Sequence, residues 1–247
     1  MPVTITTLAE RPELTSLVWG MPDSWPEFMN HDPIADALFP TVAPAFRDLG
    51  IVATDDAGSI VAHATAIAFR LDADGRRELP DSGWDQSLTW AHHDLHLGIE
   101  PDVASALEVS VHVDWQGRGL STQMVAAMRD ATRAKGFDTL LAPVRPTGVS
   151  AARRVPMAEY AARTRSDGLP VDPWLRVHAR LGGTIEKVAP VSQTISGSLD
   201  QWRAWTGLPF DADGPTSVPG TLADVHVFLD DGVAVYVEPN VWVRHQV

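Results

Sequence analysis

The feature that most constrains this chain is the short glycine turn Gln116-Gly117-Arg118-Gly119-Leu120-Ser121, because of what stands on either side of it. Before it, Leu107-Glu-Val-Ser-Val-His-Val113 alternates as a strand, with Leu107, Val109, Val111 and Val113 expected on one face and Glu108, Ser110 and His112 on the other. After it, Leu120, Met124, Ala127, Met128 and Ala131 recur at helical spacing, predicting a helix over residues 120–135 that Ser121 or Thr122 caps and Gly136 ends. A further strand over residues 139–144 is stopped by Pro146. A strand, a glycine turn and a helix in that order gather backbone N–H groups at a helix N-terminus, where they suit a pyrophosphate, and Gly117 and Gly119 let the backbone approach it.

The rest of the chain fits around this centre. Residues 50–56 and 60–69 are β-rich and joined by the turn residues Asp56-Ala57-Gly58-Ser59, which predicts an antiparallel hairpin. Pro173 to Leu181 reads as a short helix stopped by Gly182-Gly183, with a strand beginning at Thr184. Residues 220–243 read as a hairpin turning at Asp230-Asp231-Gly232, and residues 145–172 and 203–219 are long proline-bearing connections. No 20- to 50-residue period repeats.

Composition excludes several classes. With no cysteine there is no disulfide, thiolate metal site or cysteine nucleophile among the 247 residues. A net charge of -13 argues against a nucleic-acid partner, since phosphate neutralisation needs a basic surface, so an anionic ligand needs local donors such as helix-terminal amides and a few arginines. The N-terminus lacks a signal peptide's pattern and no stretch reaches the length of a membrane span, so the expectation is a cytoplasmic protein without a membrane partner.

Val111-His-Val-Asp-Trp-Gln116-Gly-Arg-Gly119-Leu-Ser-Thr122 resembles the acyl-CoA signature of the GNAT N-acetyltransferase superfamily, in which a strand runs into Gln/Arg-x-x-Gly-x-Gly/Ala. Gln116 and Gly119 match directly, and Ser121 stands where Gly or Ala is usual. The resemblance implies an α/β (α+β) GNAT fold in a single domain over residues 1–247: a mixed, mostly antiparallel, splayed sheet flanked by helices, with its core over about residues 45–200 and a C-terminal β-hairpin extension. It implies that the backbone of Val111 and Val113 meets the pantetheine arm of acetyl-CoA or another acyl-CoA, and that amides from Gly117 through Arg118, Gly119, Leu120 and Ser121 to Thr122 hold the pyrophosphate. No metal is implied.

Three residues are catalytic candidates. His178 stands where many GNAT enzymes place a tyrosine that protonates the departing thiolate; its ordinary pKa of about 6.5 suits an acid or a base, and the alternative is a helix histidine packed beside Trp174. Thr147, just past the strand 139–144, has a hydroxyl suited to an oxyanion or enolate, or is a turn residue after Pro146. Glu108 is a candidate base for an amine nucleophile, or a solvated side chain. Arg118, Arg145, Arg153 and Arg154 are candidate phosphate contacts. His92-His93-Asp94-Leu95-His96 places imidazoles beside a carboxylate, but on an expected loop over the site rather than in a metal centre. The nine tryptophans supply either core or the walls of an acyl or acceptor pocket.

A narrower resemblance covers residue 80 to the C-terminus. Ala142-Pro-Val-Arg-Pro-Thr147, Asp167 to His178, Trp205-Thr-Gly-Leu and Val237 to His245 are similar to the GNAT-like loading domains of polyketide synthases, where a threonine and a histidine serve malonyl-CoA decarboxylation. Val191-Ser-Gln193-Thr-Ile lacks the arginine expected there, which weakens recognition of a free carboxylate. The leading expectation is an acyltransferase carrying an acyl group from acetyl-CoA to an amine or thiol of a small-molecule or protein acceptor. The alternatives are malonyl-CoA decarboxylation with S-acyl transfer to an acyl carrier protein, and a non-catalytic acyl-CoA-binding module.

Overall fold

The structure, a computed structural model, describes residues 2–148 and 155–247. Its described residues form nine strands, β1 (Thr4–Thr7), β2 (Ile51–Thr54), β3 (Ile60–Phe69), β4 (Val103–Val111), β5 (Thr139–Val144), β6 (Thr184–Ser198), β7 (Gly214–Thr216), β8 (Val225–Phe228) and β9 (Val233–Gln246). Six α-helices accompany them: α1 (Pro33–Val42), α2 (Gly83–Leu97), α3 (Leu120–Ala134), α4 (Met157–Ala161), α5 (Pro173–Arg180) and α6 (Leu199–Thr206). The strands join in one sheet ordered β1-β2-β3-β4-β5-β9-β8-β7, with β6 along the same β9.

The expected β2–β3 hairpin forms, and the Asp55 carboxylate accepts from the Ala57 and Ser59 amides to close it. One face of the sheet is covered by α3, whose Leu120, Met124, Met128 and Ala131 pack on the alanine-rich strand β3 and on Ala104. The other face is covered by α1 and α2, with Val42, Trp84 and Leu88 against Ile67, Phe69 and Leu107. Alanines at 62, 64, 66 and 68 on β3 let the layers approach closely.

β4 and β5 are the only parallel neighbours among the described strands, joined by the α3 crossover. They pair only at Ala104 with Leu140 and Ser105 with Leu141, then part. A bulge sits where they part: Thr65 faces Glu108 but Ala66 faces Ala106, leaving Leu107 as the extra residue. This corrects the expected alternation. Leu107 points to the α2 side, where its carbonyl accepts from the Trp84 indole at 2.9 Å, while Val109 and Val111 pack with the α3-side cluster. β4 ends at Val111, and Val113 begins a 3₁₀ turn with its side chain exposed.

The C-terminal hairpin does turn at Asp230-Asp231-Gly232, but β9 is no appendage. Its second half lies between β5 and β6, and its first half between β8 and β6. The histidine-rich stretch after Trp90 is helix α2 rather than a loop, with buried Asp94 accepting from Arg76 and from the Arg70 amide at 2.8 Å each. No helix among the described residues is long and apolar enough to cross a membrane.

Asp172 organises the segment behind β5. One oxygen caps α5 by accepting from the Trp174 and Leu175 amides, and the other accepts from the Gly148 amide at 2.8 Å and the Tyr160 hydroxyl at 3.0 Å. Asp172→Ala removes the cap and orphans buried donors. It should cost about 2–4 kcal/mol by urea unfolding; a loss under about 0.5 kcal/mol would contradict this assignment.

Candidate functional site

Beyond Ser105 and Leu141 the facing edges of β4 and β5 pair with nothing in the sheet, and a cavity of about 840 Å³ opens there. It reaches from Ala106, Glu108 and Val109 on β4 to Ala142, Val144 and Arg145 at the end of β5. Residues 18–46, for which no strong pattern is legible, supply much of its outer wall, including Trp19, Trp25 and Phe39. Trp84 and Trp174 add aromatic surface, so four of the tryptophans line the cavity, while Trp202 and Trp242 are core.

The glycine turn lies past the end of β4. Gly117 and Gly119 adopt φ of 73° and 78°, the left-handed region that glycine enters without strain. Gly119 is the N-cap of α3 and no side chain caps the helix, so neither Ser121 nor Thr122 plays the role expected of it. The first amides of α3, at Leu120, Ser121 and Thr122, therefore lack intrahelical acceptors, and their dipoles point at the turn. Gln116 folds back to donate to Ser24 Oγ at 3.2 Å, tying the turn to the outer wall. Arg118 is exposed and stacks over the Trp115 ring at 5.1 Å.

Glu108 is placed on the cavity wall, half-buried, and its Oε1 lies 3.0 Å from Nδ1 of the buried His63. The two sit diagonally across the β3–β4 pair, because His63 faces Ser110 and Thr65 faces Glu108. Ser110 Oγ in turn accepts from the Trp25 indole at 2.9 Å. His63 escapes pattern reading because β3 is apolar around it; only its place opposite Glu108 reveals it.

His178, on α5, also lines the cavity, with Trp174 edge-on at 4.8 Å between ring centroids. Its Nδ1 lies 2.9 Å from Nε2 of His245 on β9. Burial, reinforced by His245, lowers the His178 pKa to about 3; burial, reinforced by the Arg129 cation, lowers that of His245 to about 4 against the pull of the Leu181 backbone. At neutral pH both imidazoles are uncharged, so His178 is a neutral ring and not a standing imidazolium acid. Thr147 is exposed and is not part of the cavity lining, one residue before the Gly148 amide that Asp172 holds.

Arg145 is not available to phosphates. Its guanidinium is paired with buried Glu238 at 2.9 Å and donates to the Gly220 carbonyl. Glu238 also accepts from Tyr236 and from Asn240. Nearby, Asp32 accepts from Gln193 at 3.1 Å, and burial together with Asp32 raises the pKa of Asp85 well above the carboxylate range. Gln193 and Asn240 carry this network to the cavity surface. Arg153 and Arg154 lie outside the described residues.

No protein-family profile matches the chain. The arginine N-acetyltransferase avaD of Aspergillus versicolor is similar to it, 29% identical over a gapped alignment of 275 positions that spans 98% of this chain and 93% of the relative. Two solved structures align over 100% of the chain: the loading GNATL domain of CurA from Lyngbya majuscula, at 17% identity, TM-score 0.62 and 98% of that domain, and the GphF GNAT-like decarboxylase in complex with isobutyryl-CoA, at 15% identity, TM-score 0.55 and 99% of that protein. With its sheet parted between β4 and β5 and its glycine turn at the head of α3, this chain has the GNAT fold.

Proposed function

We propose that this chain is an acyl-CoA-dependent N-acyltransferase that moves an acetyl or similar small acyl group onto the amine of a cationic small molecule. The observation that carries the reading is a cavity that holds both a free strand edge and the Glu108–His63 pair, with an uncapped helix start lying past the end of the same strand. The backbone of β4 from Glu108 to Val111 serves the pantetheine, and the amides of Gly117 to Thr122 serve the pyrophosphate. Val113, displaced onto the 3₁₀ turn, contributes nothing from a strand edge.

In this reading Glu108 takes a proton from the acceptor nitrogen, directly or through one water, as the nitrogen attacks the thioester carbon. The N–C bond forms, the C–S bond breaks, and the proton held by Glu108 passes to the departing thiolate. The 3.0 Å contact with His63 Nδ1 orients the carboxylate. Trp19 offers aromatic surface to a cation, while the Trp25 ring already carries the Arg145 guanidinium at 5.8 Å, a charge that Glu238 balances. The name of the fungal relative favours arginine as the first acceptor to try.

Decarboxylation of a malonyl thioester is the second reading, supported by the fold likeness to GphF and by His178 on the cavity wall. Two observations weigh against it: Thr147 stands outside the lining, and the stretch 191–195, where the loading-domain resemblance implies an arginine, brings Gln193 to the wall instead. An acyl carrier protein finds no support in an acidic chain, and a non-catalytic acyl-CoA module leaves Glu108 without a role.

Mass spectrometry of acetyl-CoA incubated with the protein and L-arginine or other cationic amines should show free CoA and an acetylated amine in equal amounts. Glu108→Gln should lower kcat on the order of 10²–10⁴-fold with little change in the KM for acetyl-CoA. Release of CO2 from malonyl-CoA, with no transfer from acetyl-CoA to any amine, would replace this reading with the second.

A further inference from the structure

The hydrogen bond between His178 and His245 can point two ways, with different chemistry. If His178 Nδ1–H donates, the cavity meets a bare Nε2 lone pair. If His245 Nε2–H donates, His178 carries its proton on Nε2 and offers the cavity a donor. The choice is made at the far nitrogen. In the first arrangement His245 holds a proton on Nδ1, an atom that is buried without a hydrogen-bond partner, on a ring whose protonation the Arg129 cation opposes. In the second, Nδ1 is a lone pair in the field of that cation. Arg129 Nε is itself buried without an acceptor, so the two atoms have complementary needs. The Leu181 backbone pulls the other way and more weakly than Arg129.

We propose that His245, biased by Arg129, is a positioning residue that holds His178 as its Nε2–H tautomer, so that His178 gives a neutral N–H hydrogen bond to the thioester oxygen as it becomes an oxyanion. This rests on the acyl-transfer reading of the cavity. A neutral imidazole polarises a carbonyl in this way without needing a charged resting state. The close fit of the pair accounts for Gly183, where a Cβ would lie 2.7 Å from His245 Cε1 and 2.9 Å from the His178 carbonyl oxygen.

The arrangement has a pH signature. The groups acting on His245 are His178 from α5, Arg129 from α3 and the Leu181 backbone. Because the folded-state pKa lies below the ordinary value near 6.5, the unfolded chain binds the proton first as pH falls. The stability of the wild type relative to His245→Gln is therefore greatest above about pH 6.5 and declines toward pH 4, by at most about tenfold in the unfolding constant per pH unit. A pH-independent difference would contradict a neutral His245.

Nitrogen-15 NMR of histidine-labelled protein tests the tautomer directly and needs no acceptor: His178 should show a protonated Nε2 and a bare Nδ1. Turnover of acetyl-CoA with L-arginine should survive within a few-fold in His245→Gln, whose amide keeps a donor for His178 Nδ1. His245→Leu should lose roughly 10²–10³-fold in kcat with the KM for acetyl-CoA unchanged. A proton on Nδ1 of His178 in the wild type would overturn the proposal. So would wild-type kcat in His245→Leu while His178→Ala is inactive; wild-type kcat in His178→Ala would overturn it too and leave the acyl-transfer reading on Glu108 standing, whereas no transfer to any amine by the wild type would sink that reading itself.

Discussion

Two residue pairs hold β4 to β5, and the site depends on the point where that pairing stops. Ala104 with Leu140 and Ser105 with Leu141 fix the strands side by side, and the bulge at Leu107 then turns β4 away. A continued ladder would satisfy the backbone groups of both strands and leave no cavity. A strand edge left open inside a protein carries unmet hydrogen-bonding capacity, which an extended amide-bearing arm can satisfy as a sheet strand would. The same divergence aims β4 at the glycine turn and so lines up the free edge with the uncapped start of α3.

Charge around the cavity is managed by pairing and by neutrality. Arg145 and Glu238 cancel, and Asp85 is driven toward its protonated form by burial and by Asp32. His178 and His245 are held uncharged for the same reason. Beside the parted strands this leaves a carboxylate in contact with His63 on the β4 side and a neutral imidazole on the α5 side, with Asp23, Asp36 and Arg47 on the outer wall. Groups of opposite tendency on opposite walls suit a reaction that removes a proton from one atom while charge builds on another.

Much of this was legible before any coordinates. The strand, turn, helix and strand around Gln116 to Ser121 were plain because Gly117, Gly119 and the Leu120, Met124, Met128 periodicity are local signals. Glu108 is legible on the polar face of the strand entering the turn, and His178 by its place where many GNAT enzymes carry a tyrosine. The failures were tertiary. The bulge at Leu107 inverts a face that strict alternation predicts, and no residue type announces it. A helix cap was expected from Ser121 or Thr122, yet the left-handed Gly119 starts α3. His63 and His245 lie 45 and 67 residues from their partners, and Asp172 ties α5 to Gly148 and Tyr160 across two connections. Pairings of that kind belong to the fold and not to any window of sequence.

The most direct test of the account is amide hydrogen exchange with and without acetyl-CoA. Protection should rise in two stretches, residues 108–111 on the open edge of β4 and residues 117–122 at the turn and the start of α3, while the paired residues Ala104 and Ser105 stay unchanged. Protection confined to other segments, or none at saturating acetyl-CoA, would show that the parted strands do not hold the thioester.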